Sequence, residues 1–495
     1  MPPHDPDSTS SSAASASAAA AGPARAAARA HASADALPDQ EAVIADAASQ
    51  SGAVATTAGP NTLATAEAGR VSVVFAGGGT GGHLMPALAI AERLAELAPG
   101  IGLHFICADR EIDQRILGPA GVSLTPTPAR PPTIRPFPVA PLRFARTFRS
   151  SAQKAEAVLA DFAGGNSGRG GSRCLLVAMG GYVSGPAAWA AHRLRRRASG
   201  GQECLPIVLM NLDRVPGRAN RFVARLADEV LTATDVINPT ASFRNVRRTG
   251  LPIRRQALAG DLSAEACRQH FGLAPDRHTL LITGASQGAE SLNRLMIALA
   301  RSLEGRRALS GWQILHLAGD AKAEDRAALV EAYEWAEIPH QVIGFCDEMG
   351  CAWGAADLAL SRAGASSVAE AAANAVPTVF APYPWHADRH QERNAEPLVA
   401  RGGAWMTTDH VDPERNRDGL GRLLLTAIRD ADTRRRAVIA LEAMQGPDAA
   451  TTIARRLIEI LQVAAAPVGR GGASPEAEAD ASSPGDRGRP AVRNR

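Results

Sequence analysis

The residues of this chain that could do chemistry sit on glycine-rich loops, and the first of these ends in a histidine. From Phe75 to Leu94 the sequence reads FAGGGTGGHLMPALAIAERL, five glycines broken only by Thr80, then His83 and a stretch with helical spacing. Glycines between a strand and a helix let the backbone approach a ligand. The helix N-terminus, here Gly81 and Gly82, then offers unpaired N–H groups and partial positive charge to an anion such as a phosphate. An imidazole titrating near neutrality can take a proton from a hydroxyl, so His83 is a candidate base. A capping or phosphate-binding histidine fits the same position.

The device recurs. Met179 to Pro186, MGGYVSGP, pairs Gly180 and Gly181 with the hydroxyls of Tyr182 and Ser184, and reads equally as a plain tight turn. GASQG at 284–288 precedes a helix and offers Ser286 and Gln287 to a nucleotide diphosphate. SRAGASSVAE at 361–370 opens another helix whose first turn ends in Glu370. That carboxylate suits either the helix dipole or a bidentate hold on a ribose diol. In HADRHQERN at 386–394, Gln391 and Asn394 are three apart and share a helix face, for solvent or for sugar hydroxyls. Arg130 to Arg149 mixes five arginines with Ile134, Phe137, Leu142, Phe144 and Phe148. It reads as an amphipathic helix packed on its own domain or as a face for an anionic membrane.

Positioning such loops takes a repeating strand–loop–helix scaffold. Apolar runs at 71–75, 103–108, 174–179, 206–212, 229–233 and 246–250 suit parallel strands covered on both faces, and a second series follows at 279–285, 313–319, 340–345, 358–364 and 377–384. Two such series predict two Rossmann-like domains with the site between them, beyond the strand C-termini. Their join falls near Thr249–Arg254, which places the domains at 70–248 and 249–465. Helical material from about Leu420 to Val463 closes the second half, with the option that its last helices pack back on the first. Residues 1–69 and 466–495, rich in Ala, Ser, Pro, Gly and Arg, carry too little apolar surface to offset ordering entropy and are expected to be disordered.

Composition narrows the function classes. A formal charge of +3 over 495 residues argues against nucleic acid as a bulk partner. The six cysteines form no C-x-x-C pair and read as buried thiols of a reducing compartment. No apolar run is long enough to span a bilayer, and the N-terminus lacks the pattern of a secretory signal. The expectation is a soluble protein, or one associated with a membrane from one side.

Taken together, GGTGGHLMPALAIA, MGGYVSGP, VPGRANRFVARLAD, TGASQGAESLN, SRAGASSVAE and DRHQERNA resemble, in order from about residue 70 to 463, the motifs of the MurG family. The resemblance implies an α/β protein of the GT-B type and an inverting, metal-free transfer with no cofactor. N-acetylglucosamine passes from UDP to undecaprenyl-linked lipid I, at the cytoplasmic face of the inner membrane. Position by position, it implies that Thr80, Gly81, Gly82 and His83 face the acceptor, with His83 as base. Arg254 then lies near the diphosphate, Ser286 and Gln287 on the donor side, and Phe345 and Cys346 beside uracil. Ala365, Ser366 and Ser367 face phosphate, Glu370 the ribose, and His390, Gln391 and Asn394 the donor sugar.

One departure stands out. Where the family shows His-Glu-Gln-Asn, this chain has Met210, Asn211, Leu212 and Asp213. Asp213 thus brings a carboxylate beside the reaction centre, as a second base candidate or as a hindrance near pyrophosphate. The departure keeps open another lipid acceptor, as in a diacylglycerol galactosyltransferase. Gly77, Gly79 and Gly82 also satisfy G-x-G-x-x-G, and with Asp109 as ribose acid they keep a nicotinamide oxidoreductase in play.

Overall fold

The computed structural model describes residues 71–463 apart from 80, 132–138, 164–172, 198–204, 238, 244–245, 285–287, 320–322 and 386–388. The predicted terminal tails therefore lie outside the described residues.

Seven parallel strands make the first sheet: β1 (Val71–Ala76), β2 (Gly102–Ala108), β3 (Ser123–Thr127), β4 (Arg173–Ala178), β5 (Ile207–Asn211), β6 (Glu229–Thr232) and β7 (Arg247–Arg248). Their order is β3-β2-β1-β4-β5-β6-β7. Between them run α1 (Gly81–Leu97), α2 (Glu111–Leu117), α3 (Val139–Phe162), α4 (Gly181–Arg197) and α5 (Arg218–Val223). A second sheet follows from β8 (His278–Thr283), β9 (Trp312–Leu317), β10 (His340–Ile343), β11 (Leu358–Ser361), β12 (Thr378–Phe380) and β13 (Ala404–Met406), ordered β10-β9-β8-β11-β12-β13. Its helices are α6 (Ala264–His270), α7 (Glu290–Arg301), α8 (Leu303–Leu309), α9 (Ala323–Trp335), α10 (Met349–Ala355), α11 (Ala365–Ala373) and α12 (His390–Ala400). The chain ends in α13 (Pro413–Asn416), α14 (Arg422–Arg429), α15 (Ala431–Glu442) and α16 (Ala449–Val463).

The continuous apolar strands do what their pattern requires. In β1, Val73 and Phe75 enter one core and Val74 and Ala76 the other, so both faces of the sheet are covered. Leu280 and Ile282 of β8 divide from Leu281 in the same way. Each such fully buried large side chain stabilises the fold by about 1.5–3 kcal/mol relative to exposure. Two strands escape the sequence pattern. Both β3, which holds Pro126, and the three-residue β13 are edge strands, where pairing on one side tolerates short or proline-bearing segments.

Strand order reverses between β1 and β4 in the first sheet and between β8 and β11 in the second. At such a switch the helices leave in opposite directions and a crevice opens beyond the strand ends. Register sets the loops level: Ala76 pairs with Ala178, and Ser361 with Thr283. The glycine loops of the sequence are the loops at these two crevices.

The helical end of the chain is divided. Leu420, Leu424, Leu425 and Ile428 pack on the second sheet, whereas Ile453, Ala454, Leu457 and Leu461 of α16 join the first core beside α1. Asp448 anchors that crossing. Its carboxylate accepts from Ala450 N at 3.0 Å and Thr451 Oγ1 at 2.7 Å, and pairs at 2.8 Å with Nε of Arg93, whose side chain is 2% exposed. Among the described residues no helix is long and apolar enough to cross a membrane.

Removing the Asp448 carboxylate strips a cap and leaves Arg93 with only the looser Glu92 and Glu96 contacts. D448A is expected to lower stability by about 2–4 kcal/mol, read as a lower denaturant midpoint in equilibrium unfolding.

Candidate active site

The first crevice is built by excluding side chains. Gly79 and Gly181 have φ of +85° and +73°, a region that disfavours any Cβ. A Cβ on Gly79 would stand 2.1 Å from the Tyr182 hydroxyl, and one on Gly181 3.1 Å from Cε1 of His83. The His83 ring therefore lies against bare backbone. Ser184 Oγ ties the two loops together, accepting from Gly180 N at 2.9 Å and lying 2.8 Å from the Ala76 carbonyl. Its hydroxyl is spent on the scaffold.

A carboxylate missed in the sequence holds the loop from below. The buried Asp113 accepts the Gly79 N–H with both oxygens at 2.9 Å and the Ala108 N–H at 2.9 Å, while Arg110 Nη1 donates to the Gly79 carbonyl at 2.7 Å. Burial pushes the Asp113 pKa up against those backbone bonds. Its only signal in the sequence was an acid in the first turn of a helix. This corrects the dinucleotide reading: an amide of that glycine loop is already taken by a carboxylate, and Asp109 is an exposed residue outside the cavity.

The loops of both sheets open on one cavity of about 270 Å³. From the first half come Gly81, Gly82, His83, Met85, Leu212 and Asp213. From the second come the strand ends Thr283 and Leu317, then Phe345, Cys346, Met349, Trp353, Gly364, Ala365, Ser366, Ser367, Glu370 and His390. The N-terminal residues of α1 and α11 line the cavity, and the first turn of neither carries an acidic residue. Glu370 stands in the second turn of α11 and not at the end of its first as the sequence suggested. Free amides at a helix start favour an anion. The Ser366 Oγ is buried and has no hydrogen-bond partner among the described residues.

Two titratable groups stand out. Burial lowers the His83 pKa, opposed by the Asp213 carboxylate, so the ring is neutral at neutral pH and able to accept a proton. Burial raises Glu370 to about 7, against the stabilising bond from Trp353 Nε1 at 2.9 Å. Trp353, an aromatic in an alanine-rich helix, gave no sign of this role in the sequence. Burial also lifts the Cys346 thiol to about 11, so it remains protonated.

Four expected site residues are engaged elsewhere. Tyr182 braces Gly79. Arg254 stands behind Met85, paired with Glu92 at 2.8 Å rather than turned to the cavity. Gln391 accepts the Tyr383 N–H at 2.8 Å, and Asn394 bonds Asp213 at 3.0 Å. Arg254, Gln391 and Asn394 are each held by a hydrogen-bonding partner in the protein, and Tyr182 packs against bare backbone, none of which spacing along the chain could reveal. Thr80, Ser286 and Gln287 lie outside the described residues.

The Glycosyltransferase family 28 N-terminal domain matches residues 73–232 and its C-terminal domain residues 279–445. A UDP-N-acetylglucosamine--N-acetylmuramyl-(pentapeptide) pyrophosphoryl-undecaprenol N-acetylglucosamine transferase of Frankia casuarinae is 36% identical over 344 residues, covering 68% of this chain and 83% of its own. The protein of the same name from Mycolicibacterium smegmatis is 33% identical over 400 residues, covering 80% and 95%. The crystal structure of Acinetobacter baumannii MurG aligns with a TM-score of 0.54 and 24% identity, over 79% of this chain and 99% of that one, a likeness of GT-B fold. Matched in both halves, in order, and by relatives along most of its length, the chain belongs to the MurG family of glycosyltransferases.

Proposed function

We propose that this chain transfers N-acetylglucosamine from UDP to the muramyl sugar of undecaprenyl-linked lipid I, giving lipid II for peptidoglycan. One observation carries the reading: the N-termini of α1 and α11, from opposite halves, open on a single cavity with His83 on one side and Glu370 on the other.

The donor belongs to the second half. The amides at the start of α11 and the unpartnered Ser366 hydroxyl suit the diphosphate, with Glu370 at the ribose diol. Phe345 and Cys346 flank the uracil, and His390 lies toward the sugar. Gly81 and Gly82 turn the amides of α1 to the acceptor pyrophosphate. The acceptor hydroxyl attacks the anomeric carbon from the face opposite UDP, so a new C–O bond forms as the bond to the β-phosphate oxygen breaks. The hydroxyl proton passes to His83, and UDP leaves with the bond's electron pair. Fixed amides and helix dipoles stabilise the charge that develops on the diphosphate.

The membrane face is assigned to the start of α3. Val139 and Leu142 are 62% and 60% exposed, and Arg143 and Arg146 fall on the same helical face. That pairing of apolar and cationic groups suits an anionic lipid surface, each cation adding about 1 kcal/mol there.

Three outcomes are expected. H83A lowers kcat for UDP release by about 10²–10⁴-fold with little change in donor KM, and a variant within tenfold of wild type removes His83 as base. For Glu370 the sign is set by its raised pKa. Below about 7 the carboxyl is neutral and a poorer acceptor for two ribose hydroxyls, so donor KM falls as pH rises through that value. E370Q flattens this dependence and raises KM, whereas a wild-type KM independent of pH contradicts the assignment. Finally, the double variant V139S/L142S sediments less with anionic vesicles than wild type does, and equal wild-type binding to neutral and anionic vesicles removes α3 as the membrane face.

A further inference from the structure

The mouth of the cleft is spanned by side chains that meet at Asp213 and Arg214. Asn394 of α12 donates its Nδ2 to Asp213 Oδ1 at 3.0 Å and accepts the Arg214 N–H at 3.4 Å. Arg214 Nη1 adds bonds of 3.0 Å to the Arg393 carbonyl and 3.0 Å to the Glu396 carboxylate. On the first half the Asp213 carbonyl is fixed by Asn211 Nδ2 at 2.7 Å, and Asn211 by Asn220 at 2.9 Å. A carboxylate only accepts and the Arg214 N–H only donates, so the Asn394 amide fits this bracket in one orientation.

We propose that Asp213 is a positioning residue: its bond to Asn394 latches the two halves across the cleft and seats His390 in the cavity opposite His83. His390 lies one helical turn before Asn394 on α12 and lines the cavity, as Asp213 and His83 do from the other side. Latching therefore places the sugar-side histidine and completes the acceptor-side wall in one event. An uncharged amide at 213 could bond Asn394 in either sense, whereas the carboxylate commits its partner and gives a charge-assisted bond. The catalytic part of this inference rests on the cleft being the transferase site. The latch itself does not.

Exchanging the two side chains tests it. N394D sets two carboxylates against each other across the mouth. D213N/N394D rebuilds the bond with donor and acceptor reversed, and leaves position 394 able to accept from the Arg214 N–H. Amide hydrogen exchange of the full-length, unliganded protein is followed in the segments 210–217 and 390–400. N394D is expected to quicken exchange in both by about tenfold, and the double variant to return them to within about threefold of wild type. R214A, which leaves residues 213 and 394 intact, quickens the same segments severalfold and decides the matter if N394D fails to fold. Unchanged exchange in N394D or R214A, or a double variant no slower than N394D, overturns the latch. In UDP release with lipid I, N394D raises donor KM and lowers kcat, and the double variant recovers both. Restored exchange beside a wild-type protein that never transfers to lipid I leaves the latch standing and overturns the transferase reading instead.

Discussion

No side chain fits between the ends of β1 and β4, and the site depends on that exclusion. A Cβ on Gly78 would meet the Asp113 carboxylate at 2.4 Å, one on Gly77 would meet Met179 at 2.9 Å, and one on Gly180 would meet the His83 ring at 3.2 Å. The paired registers of β1 and β4 bring their two turns to the same level, so each turn forms a wall for the other. His83 is thereby held by contact with backbone. A side chain fixed in this way need not be ordered when substrate arrives, which is the entropic advantage of a preorganised site.

Charge follows from the same economy of side chains. Among the described residues lining the cavity there is no lysine or arginine, while Asp213 and Glu370 bring two carboxyl groups. The proposed placement of a diphosphate beside them calls for positive potential, which the helix N-termini of α1 and α11 would supply from backbone dipoles. Arg254 is the nearby guanidinium that sequence reasoning turned toward the diphosphate, and Glu92 claims it at 2.8 Å. Burial raises Glu370 for a related reason: a carboxylate in a water-poor pocket has only the Trp353 N–H to stabilise its ionised form.

The sequence was legible wherever a property is local. Inner strands such as β1 and β8 announce themselves by unbroken apolar runs because both faces are buried, and glycine loops by composition. The edge strands β3 and β13 do not, since half their neighbours are solvent or loop. Among the candidate residues, His83, Ser366 and Glu370 fall in the cavity because their positions follow from strand, turn and helix start alone. Tyr182, Arg254, Gln391 and Asn394 depend on what lies across a tertiary contact. For Asn394 that contact is 181 residues away in the chain. Asp113 escaped for the same reason, its role being set by a glycine 34 residues earlier.

The helix that carries His83 also carries the joint between the halves. Glu92 pairs with Arg254 at 2.8 Å, Arg93 with Asp448 at 2.8 Å, and Glu96 with Arg255 at 2.8 Å. Both partner segments are crossings of the chain between the two sheets, one leaving the first and one returning to it. These three acidic and basic positions lie on one flank of α1, starting about 14 Å along the helix from His83. The Arg254–Glu92 pair is 15% and 12% exposed and so is shielded from the screening that weakens surface ion pairs, whereas Arg93, itself 2% exposed, meets a carboxylate that is 43% exposed. The rod that presents His83 to the cavity is thus the element to which both crossings of the chain are fastened, so the joint between the halves and the His83 wall share one helix.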